Sequence, residues 1–277
     1  MNRPSFPPLK SLSQNFLRNK AIAKNLVDRL PLIAADTVVE LGAGRGSLTF
    51  FLSEKVSRVL AVEIDAGHCA ELKEKVLQSG KKNIEVVHED LLKTDWNEWL
   101  RTMNGPFFIV GNLPYHISTP ILFKVVENRA ILKGAYVMLQ KEVADRLLAQ
   151  PGGKRYGALT VLIGYYARVR PVMQLGPGSF FPKPKVSSIF VEIFFHQEPI
   201  PKIEDESLFK WVVRSAFGRR RKQIKNALTA DPRFPSELIL KALELNQNDP
   251  QCRGETLTIA QFVTLANTLA KLRPDVT

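Results

Sequence analysis

The feature that most narrows the fold of this chain is a long alternation of β-branched runs and amphipathic segments between Thr37 and Phe195. Strand-like runs are Thr37–Leu41 (TVVEL), Arg58–Val62, Asn83–Val87, Phe107–Val110, Ala135–Leu139, Ala167–Val172 and Ile189–Phe195. Helical periodicity fills Ser47–Lys55, Ala66–Leu77, Asp95–Met103 and Pro120–Asn128. Strands that alternate with helices need crossover connections, and these build a mostly parallel sheet with helices on both faces. The fold class read here is α/β. Ligands of such sheets bind beyond the carboxyl ends of the strands, so the loops that follow strands are where function is sought.

After His196 the texture changes to the polar, proline-bearing stretch QEPIPKIEDE. Beyond it only helical patterns occur, over Glu206–Phe217, Arg221–Leu228, Ser236–Leu245 and Thr258–Lys271, the last opened by Thr256 or Thr258 as an N-cap. The expected division is a sheet domain over residues 1–199 and a small all-α domain over residues 200–277.

The 277 residues carry 39 Lys and Arg against 27 Asp and Glu, a net charge of +12. A surface of this sign attracts a polyanion, with nucleic acid the leading candidate, although composition alone is equally compatible with an ordinary solvated surface. Cys69 and Cys252 lie far apart without metal-ligand spacing, which points away from a disulfide framework or a metal centre. No apolar run approaches the roughly 18 residues of a membrane span, and the N-terminus lacks a signal-peptide core. A soluble cytoplasmic protein is expected.

The first strand runs into Glu40-Leu41-Gly42-Ala43-Gly44-Arg45-Gly46-Ser47. Glycines between a strand and a helix permit a tight turn and leave backbone N–H groups facing a ligand. The GxGxG spacing departs from the dinucleotide fingerprint at Ser47, and the P-loop lysine is missing, so neither a nicotinamide dinucleotide nor triphosphate hydrolysis fits. The second strand ends at Glu63, placed to accept from both hydroxyls of a ribose, and the third ends near Asp90, placed to receive an adenine amino group. Each acid alone could be an exposed strand end; three successive strand ends favour a nucleoside-containing cofactor. The array resembles the S-adenosylmethionine-dependent methyltransferases. That resemblance implies a class I, Rossmann-like fold with Gly42 and Gly44 against the methionine tail, and Ile64 and Leu91 beside the two acids.

The fourth strand, PFFIV, stops at Gly111-Asn112-Leu113-Pro114-Tyr115. In methyltransferases that act on exocyclic amino groups of bases the corresponding stretch is [D/N/S]-P-P-[Y/F/W], matched here except that Leu113 replaces the first proline. An aromatic amine is a weak nucleophile because its lone pair is delocalised into the ring. The Asn112 side-chain oxygen and the Leu113 carbonyl can each accept one N–H and turn the lone pair toward a sulfonium methyl, so that alignment and charge complementarity do the catalysis. Pro114 keeps Leu113 extended and fixes its carbonyl. Tyr115 offers a face for stacking on an extruded base, unless this is merely a strand-ending turn with its aromatic packed inward.

NLPY together with Lys10-Ser11-Leu12-Ser13-Gln14-Asn15-Phe16-Leu17 resembles the ribosomal RNA adenine N6,N6-dimethyltransferases, with Ser13 in place of the usual glycine. In that family the opening segment folds over the cofactor, which implies Asn15 and Leu17 beside it. Phe180-Phe181-Pro182-Lys183-Pro184-Lys185-Val186-Ser187-Ser188 resembles the family's F-x-P-x-P-K-V-x-S segment. Its register implies that Phe180 holds the target base opposite Tyr115, with Phe181 in the core. The resemblance further implies dimethylation of two adjacent adenines near the 3′ end of small-subunit rRNA, within a 30S-like particle, by a monomer that requires no metal.

Arg214, Arg219, Arg220, Arg221, Lys222 and Lys225 place six cations within twelve residues. This suits contacts to RNA phosphates, as in the family's F-x-x-R-R-K run, and a solvated helix face is the plain alternative. Two other functions stay open: an RNA-binding assembly factor with methylation secondary or lost, and a large-subunit adenine methyltransferase of the erythromycin-resistance type.

Overall fold

The computed structural model describes residues 15–101, 105–198, 201–230 and 234–273. It parts into two compact units, residues 1–144 with 169–195, and residues 145–168 with 196–277.

The first unit holds the strands β1 (Phe16–Leu17), β2 (Thr37–Leu41), β3 (Arg58–Glu63), β4 (Ile84–His88), β5 (Phe107–Asn112), β6 (Leu132–Gln140), β7 (Ala167–Leu175), β8 (Phe180–Phe181) and β9 (Ser188–Phe195). Seven of them form one sheet in the order β4-β3-β2-β5-β6-β9-β7, and β1 pairs with β8 separately. The β4–β3, β3–β2, β2–β5 and β5–β6 pairs are parallel, and β6–β9 is antiparallel. From β2 the chain steps to β3 and β4 on one side, then returns to β5 on the other. That reversal opens a crevice beyond the carboxyl ends of β2 and β5. Val38 through Leu41 are all buried, as expected of a strand covered on both faces, which makes Glu40 in their midst chemically conspicuous.

The helices of this stretch are α1 (Lys20–Asp28), α2 (Thr49–Lys55), α3 (Ala66–Ser79), α4 (Trp96–Arg101), α5 (Ser118–Glu127) and α6 (Lys141–Leu147). The second of these starts two residues later than its periodicity suggests, because Gly44 and Gly46 hold the preceding loop at positive φ. The third begins at Asp65, whose carboxylate accepts from the His68 N–H at 2.9 Å, and ends at Gly80 in the left-handed conformation. Thr102 and Met103, included in the expected helix Asp95–Met103, lie outside the described residues, as do Lys10–Gln14 of the opening motif.

The second unit contains α7 (Ala158–Gly164), α8 (Glu206–Gly218), α9 (Ile224–Leu228), α10 (Ser236–Leu245) and α11 (Ile259–Leu272). Thr258 caps the last of these through a reciprocal box with Gln261. Tyr156 explains why residues 145–168 belong to this unit. Its hydroxyl donates to the Leu257 carbonyl at 2.9 Å and its ring lies 5.9 Å from that of Phe217, so the segment between the sheet strands shares an aromatic core with the C-terminal helices. A single boundary between residues 199 and 200 therefore does not describe where the units part.

The basic run is also not the helix that was expected from Arg221 onward. Arg219 leaves the helical region at φ −122°, ψ 48°, Gln223 is extended, and α9 begins only at Ile224. Four consecutive cations would repel one another along a helix, and a turn spreads them into solvent instead.

Candidate active site

Gly42, Glu63, Asp90 and Asn112, each at or just beyond the end of a different parallel strand, line one cavity of about 240 Å³. Asn15, Ile64, Leu91 and Pro114 also line it, so the residues expected around a nucleoside and around a reacting amine share one space.

The glycine loop is held by the acid that faces it. Glu63 is 5% exposed, and its Oε2 accepts from the Gly44 N–H at 2.7 Å while Oε1 accepts from the Asp65 N–H at 2.8 Å. A carboxylate oxygen can accept more than one hydrogen bond, so both retain capacity toward a diol. Gly44 sits at φ +56°, and a Cβ there would stand 2.7 Å from Cε1 of the Phe16 ring. Gly42, at φ +68°, meets nothing closer than 3.8 Å, so a side chain at that position would fill the cavity. Asp90 is anchored through Oδ1 to the Leu92 N–H at 3.0 Å.

Asn112 carries the most specific geometry. Its Nδ2 donates to the Asn15 carbonyl at 2.7 Å. A carbonyl only accepts, so this contact fixes which end of the amide is nitrogen and leaves Oδ1 as the acceptor for a ligand. Beside it Leu113 is 2% exposed, its side chain packed inward as suits a residue that contributes only backbone. Tyr115 stands on the short 3-10 turn Tyr115–Ile117, half-buried, with its Oη 2.8 Å from the Ser188 Oγ. Burial pushes its phenol pKa up, and the Ser188 hydrogen bond opposes the shift.

Behind the loop, Glu40 is 2% exposed with Oε2 unpartnered, and desolvation pushes its pKa up to about 8; Thr49 opposes this and Glu63 adds to it. Although Thr49 is close enough to favour the ionised form, its hydroxyl makes no hydrogen bond of standard geometry. Burial therefore favours the protonated, neutral form of Glu40.

A match to the ribosomal RNA adenine dimethylase family model spans residues 9–271. The chain belongs to the ribosomal RNA adenine dimethylases. Among relatives of this family, the ribosomal RNA small subunit methyltransferase A of Alkaliphilus oremlandii is 40% identical over 265 residues, covering 95% of this chain and 92% of that one. The protein of the same name from Clostridium perfringens is 38% identical over 262 residues, covering 95% and 90%. A solved dimethyladenosine transferase from Plasmodium falciparum superposes with a TM-score of 0.79 at 26% identity, covering 92% of this chain and 98% of that one. The 23S rRNA methyltransferase ErmE superposes with a TM-score of 0.69 at 25% identity, covering 92% and 100%.

Against this background the expected environments of two rings are exchanged. Phe180, assigned to grip the base opposite Tyr115, is 1% exposed in a core cluster with Leu17, Leu175 and Phe190, whereas Phe181, assigned to the core, is 50% exposed. The cause is register: Leu17 pairs with Phe180 and Phe16 with Phe181, so the two phenylalanines face opposite sides of the β1–β8 ribbon. Leu17 points into the same cluster and does not line the cavity.

Phe16, Val62, Leu92, His116 and Ile117 also line the cavity and were not singled out from sequence. Phe16 alternates with Leu17 in the opening motif, and His116 and Ile117 follow NLPY on the same turn, so spacing within those motifs held the missing signal.

In the helical unit Arg214, Arg219, Arg221 and Lys222 are exposed and Lys225 is partly so. Arg220 differs from them, because its Nε donates to Glu255 at 2.6 Å and its guanidinium also reaches the Gly153 carbonyl at 3.3 Å.

Proposed function

We propose that this adenine dimethylase uses S-adenosylmethionine to dimethylate N6 of two adjacent adenines in the 3′-terminal hairpin of small-subunit rRNA. It acts as a cytoplasmic monomer on a 30S-like particle. The observation that carries this reading is the Asn112 amide, locked by the Asn15 carbonyl so that Oδ1 is left to accept an amino N–H at the wall of the nucleoside cavity.

The lining of the cavity suits the cofactor in chemistry. Glu63 and Asp90 supply acceptors for ribose hydroxyls and an adenine amine, while the positive-φ glycine at position 42 leaves room that any side chain would take. When bound, S-adenosylmethionine supplies the methyl carbon. Asn112 Oδ1 and the Leu113 carbonyl accept the two N–H bonds of the target amine and aim its lone pair, Pro114 holds that carbonyl, and the Tyr115 ring supports the base. No strong base is needed, because the amine becomes acidic only as its new N–C bond forms. Arg214, Arg219, Arg221, Lys222 and Lys225 contact RNA phosphates, with Arg220 held by Glu255.

Incubation with labelled cofactor and unmethylated small subunits, followed by mapping of the modified nucleotide, tests this reading. Label at N6 of paired adjacent adenines supports it. Binding without transfer points to an assembly factor, and label in large-subunit rRNA points to the erythromycin-resistance type. Asn112→Ala is expected to abolish transfer while leaving cofactor affinity within a few-fold, and undiminished turnover would reject the role given to the amide.

A further inference from the structure

We infer that Phe181 is a stacking platform for a nucleotide beside the target adenine, an inference that rests on the RNA substrate proposed above. The β1–β8 ribbon has two unlike faces. Leu17 and Phe180, directly opposite one another, are buried at 8% and 1% exposure in the core of the sheet unit. Phe16 and Phe181, the next opposite pair, share the other face. Phe16 lines the cofactor cavity, and Phe181, paired with it across the ribbon, has half its surface in solvent. A large aromatic ring left exposed next to a nucleoside cavity has no packing role that requires it there.

The charge around that ring identifies its partner. Arg18 and Lys20 follow β1, Lys183 and Lys185 follow β8, all four are exposed, and none forms an ion pair among the described residues. The sequence has no acidic residue before Asp28 and none between Asp145 and Glu192, so both strands of the ribbon lie in stretches of one sign. Cations that follow a backbone, interleaved with a ring that accepts a base face, are the elements by which proteins hold single-stranded nucleic acid. A target base drawn out of its helix leaves its neighbour unstacked on one side, and Phe181 provides a replacement surface. The same register that buries Phe180 leaves Phe181 in solvent.

The test compares Phe181→Ala, Phe181→Leu and Phe181→Trp with the parent chain on unmethylated small subunits. It measures the dissociation constant of the particle without cofactor, then KM and kcat with labelled S-adenosylmethionine. Loss of one base stack predicts roughly tenfold weaker particle binding and higher KM for Phe181→Ala and Phe181→Leu, with Phe181→Trp near or better than the parent. Affinity for S-adenosylhomocysteine should stay unchanged in all three. Particle affinity within twofold of the parent in Phe181→Ala, or full recovery by Phe181→Leu, overturns the proposal, the latter because an aliphatic side chain cannot stack. If the parent itself transfers no methyl group to adenine, the functional reading fails, and the cofactor-free binding measurement still decides the role of Phe181.

Discussion

Glu40→Gln should raise the stability of the sheet unit as pH rises, and the size of the effect follows from where the carboxyl sits. Glu40 lies within β2, 2% exposed, with Oε2 unpartnered, and its pKa stands at about 8 against an ordinary 4.5. Between those two values the unfolded chain gives up its proton and the folded chain keeps it. Stability therefore falls with pH by about 1.4 kcal/mol per unit across that window, on the order of 5 kcal/mol in all. The contribution is fully present below pH 4.5 and lost by the time pH passes the folded value near 8. Glutamine has nearly the same shape and cannot ionise. The variant should thus track the parent near pH 4.5 apart from a constant offset, then diverge upward, the gap widening by about 3 kcal/mol between pH 5 and pH 7. In calorimetry of the sheet-unit transition this is a relative rise in Tm of roughly 6–12 °C over the same interval. The slope is diagnostic rather than the offset, since the offset also contains whatever the new amide gains or loses at Thr49. Parallel pH profiles for the two proteins would show that Glu40 is ionised in the folded state and that the desolvation argument is wrong.

Ser188→Ala removes the partner of the Tyr115 hydroxyl and should lower kcat on particles several-fold without changing cofactor affinity. Tyr115→Phe should lose a similar amount, and the double variant no more than either alone, because both remove one hydrogen bond; fully additive losses would separate the two side chains. In the basic turn, Arg219→Ala with Arg221→Ala should weaken RNA binding and reduce the slope of log affinity against log salt by nearly two. Arg220→Ala should change that slope less, since its charge is already paired with Glu255; equal effects at all three positions, measured by filter retention across a salt series, would remove the distinction.

The parts of the fold that were legible from sequence are those in which local pattern and tertiary environment ask for the same thing. TVVEL is a central strand because both its faces are buried, and its limits coincide with the apolar run. Ser236–Leu245 is a helix over the same residues that its periodicity marks out. The four strand-end residues of the cavity were legible for a related reason: in a parallel sheet the loops beyond successive carboxyl ends converge, so residues distant in sequence share one space once strand order is known. By contrast, the β1–β8 ribbon has only two residues per strand and exists through pairing between segments far apart in the chain. Neither FL nor FF announces which side chain will face the core, and a shift of one residue exchanges the faces. A motif register aligned on prolines could identify the loop, but the direction of each ring depended on Leu17. The buried carboxyl of Glu40 shows the converse limit. Its sequence position at the end of an apolar strand reads like the other strand-end acids, yet Glu63 lines the cavity and finds two backbone donors, while Glu40 is buried behind the loop with Oε2 unpartnered, where desolvation favours its neutral form.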